Sequence, residues 1–167
     1  MITIGIDPGL SGGVAILNVA NGCALLQVFD TPTTVTMTKS GQRKTLYVEA
    51  AMVRLLEPYA TRSHAYLEAV HAMPGQGVTS MFRMGYGFGL WVGMLSALKI
   101  PYSCVAPQTW KRIMLPDMGK DKGASRLRAM QLFPHQAECF QRVKDDGRAD
   151  AALLSEYGRR LHDTQAR

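Results

Sequence analysis

Four acidic residues sit where the regular stretches of this chain begin or end. Asp7 closes the apolar, β-branched run 2–6, and Glu68 closes Ala65-Tyr66-Leu67. Asp146 and Asp150 open a C-terminal segment rich in alanine and leucine. A strand that ends in a carboxylate carries charge to the edge of a sheet, where burial is costly without a partner. In the last segment Asp146, Asp150, Leu153, Leu154, Tyr157 and Leu161 recur at helical spacing along one face. The apolar members must face the sheet, so the spacing aims both aspartates the same way. A helix laid across the strand ends would bring four carboxylates to one spot. They repel one another unless cations neutralise them, and hard oxygen donors in that number suit Mg²⁺ or Mn²⁺. Two such ions, roughly 3.5–4 Å apart, can activate a water and stabilise the leaving oxygen of a phosphodiester.

Each acid also has a plainer reading. Asp145 or Asp146 could simply cap the last helix, where negative charge is favoured. Glu68 could be an ordinary strand-end residue, and Asp7-Pro8-Gly9 could be only a turn. Asp150 resists that reading, because it lies within the buried stripe.

The elements that must hold these residues follow from periodicity. Runs 2–6, 14–19 and 24–29 read as strands, with Asn21-Gly22 as a hairpin turn between the second and third. They predict an antiparallel meander. Residues 31–44 are polar and rich in threonine, and read as a loop. Residues 46–60 predict an amphipathic helix, and 65–68 a fourth strand. A loop from His71 to Gly77 precedes a helix to about Leu98, with Thr79 or Ser80 as its cap. That helix carries Gly85, Gly89 and Gly93 on one face. They suggest close backbone approach, either to the sheet or to a second helix across a two-fold axis. Residues 102–105 read as a fifth strand, Pro107 starts a short helix through Trp110-Lys111, and 115–123 form a polar turn. Further helices cover 124–133 and, from Gly147, about 147–161. The expected fold is α/β, a five-stranded mixed sheet flanked by helices, with residues 1–167 forming one domain.

The chain is basic, with 19 Lys+Arg against 13 Asp+Glu, a net charge of +6. That favours an anionic partner, most simply a nucleic acid. Lys111, Arg112, Lys120, Lys122, Arg126 and Arg128 form the densest basic region, either a phosphate-contacting rim or an ordinary solvated face. The 71–80 loop follows Glu68 directly. Its Gly75 and Gly77 permit close approach, and Gln76 can bond a base edge or a phosphate. His71 could stack on a base, although a lone histidine is more often structural. Three cysteines without CxxC spacing argue for a reducing compartment. The N-terminus reads as neither signal nor transit peptide, and the longest uncharged stretch, 84–98, is too short to span a bilayer.

The segments Ile4-Gly5-Ile6-Asp7-Pro8-Gly9-Leu10-Ser11-Gly12-Gly13, the Glu68 strand end and Asp146-Gly147-Arg148-Ala149-Asp150-Ala151 resemble the RuvC-type Holliday junction resolvases. The likeness is greatest to phage, bacterial and plastid members with segments like Trp110-Lys111 and Lys120-Asp121-Lys122. The Asp7 motif alone is shared more widely, including by actin-like kinases, which need two domains of this kind; the full ordered set is specific. The resemblance implies an RNase H-like fold, a homodimer and paired, metal-dependent nicks that resolve four-way DNA junctions. It implies two Mg²⁺ ions per site, with Mn²⁺ able to substitute, and no small-molecule cofactor or membrane. Asp7, Glu68 and Asp150 match the family's metal-binding acids. The fourth acid often lies three residues before the last one, where this chain has Gly147, so Asp146 takes the role and Asp145 is its rival. Lys111 and Lys122 are best placed to hold or polarise the scissile phosphate, followed by Lys120. Gln76, Val78, Ser80 and Arg126 are expected to contact DNA. A different RNase H-like nuclease, acting on RNA–DNA hybrids or other branched DNA, and a non-catalytic junction binder are the competing readings. The expected compartment is the bacterial cytoplasm or a phage host's, or an organelle after transit-peptide removal.

Overall fold

The structure is a computed structural model, and it describes residues 1–165 apart from Asn21, Met73, Pro74, Asp117 and 119–122, and apart from the side chain of Gln165. A five-stranded sheet is assembled from β1 (Ile2–Asp7), β2 (Gly13–Ala20), β3 (Cys23–Asp30), β6 (Ser63–Glu68) and β7 (Tyr102–Val105), in the order β3-β2-β1-β6-β7. The first three strands form the expected antiparallel meander. β6 then pairs parallel to β1, and β7 parallel to β6. The mixed sheet is therefore as the sequence predicts.

Residues alternate between two cores. Ile4, Ile6, Val14, Ile16, Ala65 and Leu67 face one layer, with Met52 and Leu56 of α1 (Glu49–Leu56) and Trp91 and Leu95 of α2 (Val78–Ala97). Ala15, Leu17 and Tyr66 face the other. It holds Trp110 of α3 (Pro107–Met114), Ala129 of α4 (Ala124–Leu132) and Ala149, Ala152 and Leu153 of α5 (Asp146–Gln165). This period-two division is what a sheet covered on both faces requires.

The contact between α5 and β1 is close because glycine allows it. A methyl group at Gly5 would strike the carbonyl of Ala151 and the backbone nitrogen of Ser155. Thr3 of the same strand ties its hydroxyl to the Ser155 carbonyl at 2.9 Å.

Three expectations change. Residues 31–44 are not a loop: β4 (Thr33–Met37) and β5 (Arg43–Tyr47) form a separate antiparallel hairpin around Gly41, which has φ +77°. Thr-Val-Thr-Met alternates apolar and polar residues like a strand, and threonine favours strands. Leu46 consequently belongs to β5. The helix expected over 46–60 shrinks to α1 plus a short 3₁₀ turn at Glu57–Tyr59, where Pro58 cannot supply a helical N–H. Finally, α2 begins at Val78 after Gly77, without a side-chain cap from Thr79 or Ser80.

Candidate metal centre and basic surround

Asp7 and Glu68 come together through strand pairing. In the parallel register Ile6 lies opposite Leu67, so the next residue of each strand emerges at the same sheet edge. The turn after Asp7 fixes its carboxylate: the Gly9 N–H donates to Asp7 Oδ1 at 3.3 Å. α5 closes the site from above. Its first turn abuts the β1–β2 turn, with Gly147 bridged to Gly12, and a methyl group at 147 would collide with Ser11 and Gly12. That contact sets Asp150, one turn further on, over the strand ends.

Electrostatics shows that Asp7, Glu68 and Asp150 share one neighbourhood. Burial, then the charges of Glu68 and Asp150, push Asp7 up from 3.8 to about 7. Burial, followed by Asp150, likewise raises Glu68. These are like charges in a poorly solvated place. One oxygen of the group, Asp150 Oδ1, is buried with no hydrogen-bond partner among the described residues.

The Trp110-Lys111 pair serves both other acids. The buried Trp110 indole donates to Glu68 Oε1 at 3.1 Å. Lys111 Nζ lies 3.3 Å from Asp150 Oδ2, and its charge also eases Asp7 and Glu68. The ammonium further lies 5.0 Å from the Trp110 ring centroid. A cation therefore already stands among the carboxylates. Oxygen donors only, an orphaned carboxylate oxygen and a lysine supplying counter-charge all fit a hard divalent ion. Among the described residues, no three His, Cys, Asp or Glu side chains are gathered to the spacing of a finished metal cage.

The fourth acid departs from expectation. Asp146 does not face the sheet; its side chain is 56% exposed and accepts from Arg126 Nε at 2.7 Å. It is the first residue of α5, where the chain enters from a 3₁₀ turn at Val143–Asp145, so helical spacing does not fix its direction. Asp145 is buried and committed elsewhere. Its carboxylate accepts the Arg142 N–H at 2.8 Å and the Arg142 guanidinium at 2.8 Å.

The remaining expected residues divide. Val78 is 79% exposed at the start of α2, Ser80 is exposed in the same turn, and Gln76 is half-buried in the preceding loop. Arg126 is held by Asp146 and by the Gln141 carbonyl, so it is not a free cation of the rim. Lys120 and Lys122 lie outside the described residues. The glycine face of α2 does not touch the sheet: methyl groups at Gly85, Gly89 and Gly93 would meet nothing within 4 Å. The close approach is at Gly87, against Pro8 and the Tyr47 hydroxyl. Sequence reading also missed the Arg148–Asp30 bidentate pair at 2.5 and 2.6 Å, which ties α5 to the end of β3. Nothing in the spacing of those two residues signals it.

No protein-family model matches the chain. The chain is 29% identical to the chloroplastic Holliday junction resolvase MOC1 of Chlamydomonas reinhardtii over 94 residues, which are 56% of this chain and 11% of that protein. Two solved structures share the fold. Thermus thermophilus RuvC aligns with a TM-score of 0.63 at 13% identity, covering 97% of each chain. The same organism's RuvC in complex with a Holliday junction substrate aligns with a TM-score of 0.60 at 12% identity, covering 96% of each. By sequence and by fold, the chain is similar to the RuvC-type Holliday junction resolvases.

Proposed function

We propose that the chain is a structure-selective endonuclease that resolves four-way DNA junctions, working as a homodimer with divalent metal. The observation that carries this is the charge-coupled trio Asp7, Glu68 and Asp150 at the strand ends of a RuvC-like sheet. The relatives supply the substrate: one is named as a Holliday junction resolvase, and another was solved with such a junction. The basic charge of the chain suits DNA.

Asp7, Glu68 and Asp150 would hold Mg²⁺, or Mn²⁺ in its place; such ions, when bound, activate a water and stabilise the leaving oxygen of a phosphodiester. Asp146 joins that set only by releasing Arg126. The Gly9 N–H and the Trp110 indole orient Asp7 and Glu68, each holding one oxygen so that the others remain free. Lys111, 3.3 Å from Asp150 Oδ2, partly neutralises that acid and would lie within reach of a scissile phosphate held at the site. Lys120 and Lys122 are the other phosphate-holding candidates, and Gln76, Val78 and Ser80 would meet DNA near the exchange point.

A junction with two-fold symmetry is matched by a two-fold protein. The open glycine edge of α2 is available to a second copy. A reducing compartment suits the three free cysteines. It includes a bacterial or phage-host cytoplasm and the plastid named for the algal relative.

The test is cleavage of a synthetic four-way junction with and without Mg²⁺, with both nicks mapped. Paired, symmetric nicks that need the metal are expected. Faster cutting of flaps or RNA–DNA hybrids would assign the chain to another RNase H-like activity, and binding without cutting would make it a junction-binding protein.

A further inference from the structure

The β4–β5 hairpin has no core of its own. Every residue of β4, and all of β5 except Tyr47, is exposed, so most of both faces of the ribbon meets solvent. A two-stranded hairpin standing alone is marginally stable in water. This one is nevertheless hydrogen-bonded to its tip. The Thr38 N–H donates to the Gln42 carbonyl at 2.8 Å, the Gly41 N–H donates to the Thr38 carbonyl at 2.9 Å, and Thr38 Oγ1 accepts the Gln42 N–H at 3.1 Å.

Both ends of the ribbon are tied to the turn that follows Asp7. The Thr31 N–H bonds the Gly12 carbonyl at 3.1 Å, and the buried Tyr47 donates its hydroxyl to the Pro8 carbonyl at 3.1 Å. Gly13 lies opposite both Asp7 and Asp30, so β3 runs into the hairpin at the sheet edge that carries Asp7 and Glu68. Each strand has five residues, so the ribbon spans about 17 Å from its base. Residues 31–48 hold Lys39, Arg43 and Lys44, six threonines and Ser40, and no acid. The three cations are exposed, and among the described residues none of them takes part in an ion pair.

Lysines on an exposed strand discourage pairing with other chains, but that purpose does not explain why the chain builds the ribbon at all. Cations interleaved with hydroxyls, with no carboxylate among them, are the donors that meet phosphate oxygens. A two-stranded ribbon is also narrow enough to enter the major groove of B-DNA, about 12 Å wide. We infer that the ribbon lies along a duplex arm of the junction, with Lys39, Arg43 and Lys44 on backbone phosphates within about five base pairs of the strand that passes Asp7. The inference takes its DNA from the resolvase reading and adds a grip on the flanking duplex to it. The bonds to Pro8 and Gly12 keep that grip in register with the acids.

The experiment uses the full chain in EDTA, so that binding is read without cutting. Affinity for a synthetic four-way junction is measured across a range of salt, and hydroxyl-radical footprints are taken on all four arms. The triple variant Lys39→Ala/Arg43→Ala/Lys44→Ala should flatten the slope of log affinity against log salt by about 1.8 to 2.7 for each protomer bound, as two or three lost duplex phosphate contacts require. Its footprint should lose a patch on one arm per protomer and keep the protection at the exchange point. The charge-keeping variant Lys39→Arg/Arg43→Lys/Lys44→Arg should retain both the slope and the patch. All three side chains are at the surface, and a melting curve checks that each variant folds.

A change in slope smaller than about 1.8 per protomer, fewer than two contacts, overturns the inference. So does an arm footprint that the alanine variant leaves intact. A triple variant that turns from dimer to monomer in sedimentation overturns it too, since the ribbon would then meet a second copy of the chain. If wild type binds a junction no better than a linear duplex, the resolvase reading falls, and the ribbon's contact is decided by the same slope and footprint on the linear DNA. If wild type selects and cuts junctions while the triple variant binds them as wild type does, only the ribbon's contact is lost.

Discussion

Helix α5 carries two covered acids a turn and a half apart, and their surroundings are opposite. Among the described residues, Asp150 has one lysine at 3.3 Å and a buried oxygen with no hydrogen-bond partner. Glu156 has two arginines: Arg159 donates to both of its oxygens at 2.6 and 2.8 Å, and Arg160 to one at 2.8 Å. Burial alone would raise Glu156, but those guanidiniums outweigh it and hold the carboxyl below its ordinary range. Asp145 behaves the same way, with Arg142 overcoming burial. At the strand ends burial wins, and Asp7 and Glu68 are raised. A saturated acid is a structural fastening. An under-neutralised cluster is a standing electrostatic cost, retained where a cation is expected to arrive.

The two kinds of acid should differ most in activity. Asp7→Asn should abolish junction cutting, a loss of at least about 10³-fold, while binding survives; full activity with Mg²⁺ present would remove Asp7 from the chemistry. Glu156→Gln should leave cutting almost unchanged.

Stability should move in the opposite sense. Without metal, Asp7→Asn should stabilise the protein at pH 8, by up to about 4 kcal/mol, because it removes a charge whose protonated form the fold prefers. Glu156→Gln should destabilise it by roughly 1–3 kcal/mol, leaving two arginines underused. Denaturant melts of both variants decide the matter, and equal signs would erase the distinction.

The pH dependence separates the regions again. Asp7 is raised in the fold, so its contribution is complete below its ordinary 3.8 and is lost as pH rises through about 7. Asp145 and Glu156 are lowered, so theirs is present above the ordinary carboxylate range and is lost on acidification. Metal-free protein should therefore lose stability between about pH 4 and 7 relative to Asp7→Asn. Mg²⁺ should reduce that loss, and parallel curves for the two proteins would contradict the assignment.

Smaller effects sharpen the picture. Trp110→Phe keeps the bulk of a buried ring but frees Glu68 Oε1; cutting should slow about tenfold, with junction affinity little changed. Lys122→Ala should slow cleavage more than it weakens binding, since one phosphate contact is a small share of the affinity. Equal losses in rate and binding would count against a catalytic lysine there. Asp146→Asn should have the least effect on metal-free stability, because the Arg126 pair it breaks has one partner well exposed to solvent.

The strand meander, the strand ends at Asp7 and Glu68 and the inward aim of Asp150 could all be read from the chain. Each depends on a local period: alternation along strands, or 3.6 residues per turn inside a helix. Asp146 was misdirected because it lies at a helix boundary, where that period has not begun. Residues 31–44 read as a loop because threonine and lysine are common in both, and of the two strands there only Tyr47 at the end of β5 reaches the core. The glycines of α2 could be counted, but their surroundings could not. Gly85, Gly89 and Gly93 look outward, while Gly87 makes the contact.

Chemistry and spacing thus settled which acids were available and which elements would carry them, because propensity and periodicity act over a few residues. Tertiary packing decided which acids were neutralised. Arg126 of α4 reached Asp146, and among the described residues Lys111 of α3 is the cation that pairs with Asp150. Those partners come from other turns and helices, and the energy of a charge depends on what surrounds it in space.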